Sequence, residues 1–259
     1  MTKLLSRSNA ALGSDKPVVE LTTTGTAHWP AWDRFLAING VSAMHIGNIC
    51  GTCSFFFERL DGPVQPPIDI MRAELAAGLA EIDPATVEGF GALLPRGEYF
   101  LVLIECTPVR IEEGTADDYF VADEQDAYDD PMEPNTHYYR PKDRSSVDLG
   151  KDEYGDPQLG FEFIVPLAQP LDTVALSSYR ERLIAGERPT AVALSVLDIK
   201  QPHNGNAHWC MAHYLLDGHH KVEAASQAAK PITLLAFVPI NGGISREEHL
   251  SAFLSAYPQ

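Results

Sequence analysis

Between Phe161 and Val238 the chain carries four apolar runs of strand length, separated by helical and turn segments. Phe161 to Val165, Ala191 to Leu197, Trp209 to Leu216 and Ile232 to Val238 are rich in β-branched and aromatic residues, as buried strands are. Leu176, Tyr179, Leu183 and Ile184 share one face of a helix that closes at Gly186. Gln201 to Asn206 is a Pro/Asn/Gly turn, and Val222 to Ala229 reads as a second helix. The order strand, helix, strand, strand, helix, strand points to an α+β unit. A short amphipathic helix through Leu250, Phe253 and Leu254 closes it.

The third strand ends in Asp217-Gly218-His219-His220-Lys221, with Ala224 and Ala225 in the helix that follows. Groups that can titrate, coordinate or hold an anion are thus set at a strand-to-helix corner. Gly218 lets the backbone turn without a Cβ clash. The unpaired N–H groups and positive dipole end of a helix start suit a phosphate. The same residues have a structural alternative: the histidines satisfy nearby backbone groups and Asp217 shapes the turn. Just upstream, His208 and Cys210 share one strand face while His213 points the other way. A second metal site there is a lesser alternative.

The first 110 residues read as a smaller α+β unit. Residues 1 to about 25 are polar and predict an extended arm with fraying ends. Trp29, Trp32 and Phe35 cover a core face. Ile68, Met71, Leu75, Leu79 and Ile82 recur at helical spacing, with Asp83-Pro84 as the stop, and Tyr99 to Ile104 is a buried strand. Within this unit stands His45-Ile46-Gly47-Asn48-Ile49-Cys50-Gly51-Thr52-Cys53. Two thiolates spaced this way can bite one metal ion, with His45 as a third ligand and Cys106 or His28 as a fourth. A redox dithiol and a pair of inert buried thiols are the alternatives.

From residue 111 to 157 acids dominate and apolar periodicity disappears, which predicts a solvated surface excursion or lid and a place for a protein partner. The acids do not follow the alternate spacing of a calcium loop. The formal net charge is −17 and the pI about 4.8. Such a surface repels phosphate backbones and anionic membranes, so nucleic acid and membrane are disfavoured as partners. Met1 to Arg7 lack the apolar core of a signal peptide, and no apolar run reaches membrane-span length. With four cysteines and no disulfide framework, the expectation is a cytoplasmic protein.

Residues 158–259, and Asp217-Gly218-His219-His220-Lys221 above all, resemble the ParB/sulfiredoxin-like fold, with the free-serine-kinase-like members nearest in motif. The resemblance implies a mixed sheet with helices that binds nucleotide phosphates at the corner. Carried over, Asp217 would orient or deprotonate an acceptor, or hold Mg²⁺. His219, His220 and Lys221 would neutralise phosphate charge, Gly218 would shape the turn, and Asp172 would be the acid after the first strand. Such positioning and electrostatics are what phosphoryl transfer demands. Two departures stand out. Lys221 replaces an arginine, and a histidine takes the place of the sulfiredoxin cysteine. The expected function is a nucleotide- or phosphate-binding protein, extending to a phosphotransferase or hydrolase that uses ATP or ADP with Mg²⁺. The alternative is a non-catalytic ligand-sensing or protein-interaction module with structural Zn²⁺ at His45, Cys50 and Cys53.

Overall fold

The computed structural model describes residues 2–23, 33–48, 55–63, 66, 72–123, 134–144, 146–167, 171–200 and 206–258. It is an α+β architecture, with thirteen strands and six helices among the described residues. Strand β1 (Lys3–Leu12) is followed by β2 (Val19–Thr23), β3 (Asp33–Ile38), β4 (Val41–Asn48) and β5 (Phe55–Arg59). Strands β2 to β5 form a four-stranded antiparallel sheet. Short helices α1 (Arg72–Ala77) and α2 (Pro84–Gly91) lead to β6 (Gly97–Cys106) and β7 (Pro108–Arg110). Then come α3 (Tyr119–Ala122), β8 (Tyr139–Pro141), β9 (Val147–Lys151), β10 (Pro157–Val165) and α4 (Thr173–Ile184). Finally β11 (Thr190–Lys200), β12 (Ala207–Asp217), α5 (His219–Ala228), β13 (Ile232–Pro239) and α6 (Glu247–Ser255) complete the chain.

The remaining strands make one nine-stranded mixed sheet in the order β1-β6-β13-β11-β12-β10-β8-β7, with β9 beside β10. β10 runs parallel to β12, and β11 parallel to β13. Their crossovers carry α4 and α5, as parallel neighbours require. β6 pairs with β13 and β1 with β6, so strands from the first and last hundred residues share this sheet. The expected fraying arm is instead the edge strand β1, held along β6 from Lys3 to Leu12.

Both sheet faces are buried. On one, Leu101, Phe163, Leu194 and Phe237 pack against Leu36, Met44 and Phe57 of the four-stranded sheet and Phe90 of α2. On the other, Val102, Ala193 and Leu234 meet Leu183 of α4, Val222 of α5 and Phe253 of α6. Two-sided burial is why these strands read as near-continuous apolar runs rather than alternating ones.

Two local expectations change. Helix α1 ends before Gly78, which takes φ +99° and packs against the Arg188 carbonyl. Asp83-Pro84 opens a helix rather than closing one. The Asp83 carboxylate accepts from the Thr86 N–H at 2.7 Å, with Pro84 in the first turn, where its missing N–H costs nothing. The acidic stretch also differs from a solvated excursion in its described parts. Tyr119, Phe120, Tyr138 and Tyr139 are all buried. The Asp118 carboxylate ties that region together, accepting from the Tyr138 hydroxyl at 2.7 Å and the Gly114 N–H at 3.0 Å.

One polar ladder crosses the core. Ser195, His213 and Glu162, on the adjacent strands β11, β12 and β10, are linked at 2.7 Å and 3.2 Å. Arg144 closes it on Glu162 at 3.2 Å. Burial works against ionised Glu162, yet its histidine and arginine partners hold its carboxyl below the usual range.

Phe163 is the point where the layers meet, its ring lying 5.0 Å from that of Phe55, 5.1 Å from Tyr119 and 5.7 Å from Tyr138. Phe163→Ala is expected to cost about 3–5 kcal/mol, the usual range for a buried phenylalanine. Urea unfolding measures it, and a loss under about 1 kcal/mol would mean that these elements do not pack on Phe163.

Candidate functional site

The corner forms where β12 leaves the sheet. Gly218 takes φ +99°, and helix α5 starts at once, at His219 rather than at Val222. A Cβ on Gly218 would stand 2.6 Å from the Ala191 Cβ and 2.8 Å from its Cα. Glycine is therefore required twice, for the left-handed backbone and for the close approach to β11.

Each polar side chain of the corner has a partner. Lys221, almost wholly buried, donates to the Thr190 carbonyl at 2.8 Å and to Asp217 Oδ2 at 2.5 Å. Its ammonium also lies 5.9 Å from the centre of the Tyr179 ring on α4. His219 Nε2 accepts from the Leu167 N–H at 3.1 Å, and His220 Nε2 accepts from the Asp172 N–H at 2.9 Å. A ring nitrogen that accepts from an N–H carries no proton, so each neutral imidazole holds its proton on Nδ1. Burial pushes the His219 pKa down to about 4. The Asp172 carboxylate in turn accepts from the Ala175 N–H at 2.7 Å and caps α4. Together these contacts tie Leu167, just after β10, and Asp172, just before α4, to the first turn of α5.

The structure thus brings Asp172, Asp217, Gly218, His219, His220 and Lys221 to one end of the nine-stranded sheet. Their carboxylates are engaged with Lys221 and with the α4 N-terminus. The backbone donors of α5 are different, because its first turn has no side-chain cap among the described residues. Helix α5 is also held further along, where Glu223 accepts from the Tyr139 hydroxyl and Ser226 Oγ accepts from the Arg110 N–H at 3.0 Å.

Cys50, Cys53 and His28 lie outside the described residues. His45 alternates with Met44 and Ile46, which face the core, and its own ring stacks on Phe35 at 4.7 Å. Its Nδ1 is 3.6 Å from Glu58 Oε2. Cys106 belongs to the opposite face of the large sheet, with Ile104 and Ile164, and burial pushes its thiol pKa up. It cannot share a metal with His45, because a full sheet layer stands between them. No group of three His, Cys, Asp or Glu side chains is gathered for a metal among the described residues. His208 and Cys210 do share a face, where Tyr119 Oη meets them at 3.0 Å and 3.6 Å, while His213 points to the opposite one. No described helix is long and apolar enough to cross a membrane.

Comparison with protein-family models, curated proteins and solved structures finds no match for this chain. Thr190, Tyr179 and the Leu167 N–H escape sequence reasoning, since only the folded sheet brings them to the corner. The Asp217–Lys221 pair does have a signal, its i,i+4 spacing.

Two outcomes test this geometry. Gly218→Ala is expected to lose about 2–4 kcal/mol from left-handed strain and overpacking, measured by chemical denaturation; a variant within about 0.5 kcal/mol of the parent refutes it. His219 binds a proton more readily unfolded, near pH 6.5, than folded, near pH 4. Its contribution is therefore complete above about pH 6.5 and is lost as the pH falls toward 4. His208 titrates in the same direction, pushed down to about 4 by burial. Unfolding midpoints between pH 7 and 4.5 should fall less steeply for His219→Gln than for the parent. Equal slopes would place His219 outside the clamp.

Proposed function

We propose that this chain is a binding protein for a phosphate-bearing small molecule, with the first turn of α5 as the phosphate seat. The observation that carries this reading is the start of α5 on left-handed Gly218 without a side-chain cap. Backbone donors at such a helix start, together with the positive end of the dipole, complement an anion. The setting of Asp217 to Lys221, at a strand end before a helix in a mixed sheet, supports the likeness to the ParB/sulfiredoxin-like fold. His220 adds an Nδ1–H donor beside the helix start, and the clamp on Leu167 and Asp172 provides rigidity.

The narrower reading, a nucleotide-dependent phosphotransferase, asks more of the corner. Asp217 would have to leave Lys221 before it could hold Mg²⁺ or deprotonate an acceptor, and Asp172 would have to leave the α4 cap. Binding without transfer needs neither change, so it is the reading favoured here. The same engagement of Lys221 makes it a brace for the turn, not a mobile cation that reaches for a phosphate.

Thermal unfolding with ATP, ADP, CTP and inorganic phosphate, each with and without Mg²⁺, tests this. At least one nucleotide should raise the melting temperature by about 2–5 °C at saturation. His220→Glu should abolish that shift while leaving the helix intact, because a carboxylate near a helix start favours the helix and repels phosphate. No shift with any of these ligands would end the proposal. Release of ADP or phosphate that Asp217→Asn abolishes, with binding retained, would restore the transferase or hydrolase reading.

A further inference from the structure

A polar row crosses four neighbouring strands at one end of the nine-stranded sheet. Lys3 of β1 is the register partner of Glu105 of β6, which is the partner of Thr233 of β13, itself the partner of Thr190 of β11. Register partners share a sheet face. Two residues along, the same face is apolar, with Leu103, Leu235 and Val192 in the core. Arg188, just before β11, is ion-paired with Glu105 Oε2, and Lys3 Nζ lies 3.6 Å from Glu105 Oε1. Two cations thus share one carboxylate, and both of its oxygens are engaged.

The two hydroxyls of the row leave one proton over. Thr190 Oγ1 accepts from the Leu79 N–H at 2.8 Å and lies 2.6 Å from Thr233 Oγ1. Only one hydroxyl proton can lie between those two oxygens, and the other has no acceptor among the described residues. On Thr190 it would be sealed in, since that residue is fully buried. On Thr233 it meets a cavity of about 300 Å³, of whose wall Thr233 is part. Buried hydroxyls find partners, so Thr190 donates to Thr233, and Thr233 offers its own proton to the cavity.

The same wall holds Lys3, Glu105 and Arg188, its ionisable groups among the described residues, together with Leu5, Leu79 and Ala80. Two positive charges against one negative favour a monoanion there. Arg188 meets Glu105 through Nη1, which leaves its Nε–Nη2 edge, a pair of parallel N–H groups that matches the two oxygens of a carboxylate. Its side chain is 56 % exposed, so that edge can be reached. Gly78 brings Leu79 and Ala80 over the row. It takes φ +99°, and a Cβ there would stand 2.0 Å from the Arg188 carbonyl oxygen.

We propose that this cavity binds a short aliphatic monocarboxylate. Its carboxylate lies on the free edge of Arg188, beside Lys3, and accepts from the Thr233 hydroxyl. Its tail lies against Leu5, Leu79 and Ala80. The site is distinct from the first turn of α5 and does not depend on a phosphate being bound there.

Melting temperature at fixed ionic strength, with chloride replaced stepwise by acetate, butyrate or phosphate, tests the proposal. Butyrate should give a saturable rise, at lower concentration than acetate because its longer tail covers the apolar wall. Arg188→Gln should raise the apparent Kd for butyrate about tenfold, and Thr233→Val about threefold. Both substitutions also remove contacts of the folded protein, so the shift is read against each variant's own value in chloride. No response to butyrate overturns the proposal, and so does a response that both variants leave unchanged. Equal affinity for acetate and butyrate overturns it by removing the apolar wall from the site. A rise with phosphate alone overturns the carboxylate. A butyrate response lost with His220→Glu rather than with Arg188→Gln belongs to the α5 corner and also overturns it.

Discussion

Burial of the nine-stranded sheet on both faces is the constraint from which the rest of this structure follows. With the small sheet on one side and α4, α5 and α6 on the other, a side chain from the central strands has no route to water. Apolar residues meet that condition by packing. Polar ones must be matched inside the protein, because an unmatched buried donor or acceptor costs about 1–3 kcal/mol. Hence the polar residues of β10, β11 and β12 occur as linked sets: Glu162 with His213 and Ser195, Asp198 with Arg34, Tyr119 with His208. Chemistry with an outside molecule is left to the sheet ends, and to any place where the internal matching is incomplete.

In the α5 corner the side chains serve the structure, and the proposed function falls to what they leave over. Its side chains hold Leu167 and Asp172, brace the turn and fix the helix start. What they leave over is the backbone at the start of α5, where Gly218 supplies no side-chain cap. On the reading proposed above, such a site would be insensitive to rotamer choice, since the backbone would do the binding and the side chains only hold it still. Its acids are committed to Lys221 and to the α4 cap.

Much of the large sheet could be read in the residues. The apolar runs at 161–165, 191–197, 209–216 and 232–238 fall within β10, β11, β12 and β13, because strands buried on both faces must be apolar throughout. The corner was likewise legible, since Asp-Gly with two histidines before an alanine-containing helix is unusual. What the sequence hid was long-range. Residues 3–12 are too polar to look like a strand, and become one because β6 offers a ten-residue edge to pair with. Asp83-Pro84 was misread because the pair can either close a helix or open one, and only the carboxylate contact with Thr86 decides. Tyr119, Phe120, Tyr138 and Tyr139 were lost among the acids around them, although four aromatics in a charged stretch signalled anchoring. The partners of Lys221 and His219 lie 31 and 52 residues away, beyond any local pattern. The Arg34–Asp198 pair spans 164 residues.

The Ser195–His213–Glu162 ladder has a consequence for how this chain finds its fold. Sheets built from uniformly apolar strands are prone to slip, because many alignments bury similar amounts of greasy surface. Moving β12 by one residue against β10 or β11 would turn His213 to the other face and strand Glu162 without its imidazole. A buried carboxylate with a missing partner is far costlier than a few misplaced methyl groups. The ladder therefore acts as a key cut into three neighbouring strands, admitting one alignment and rejecting its neighbours.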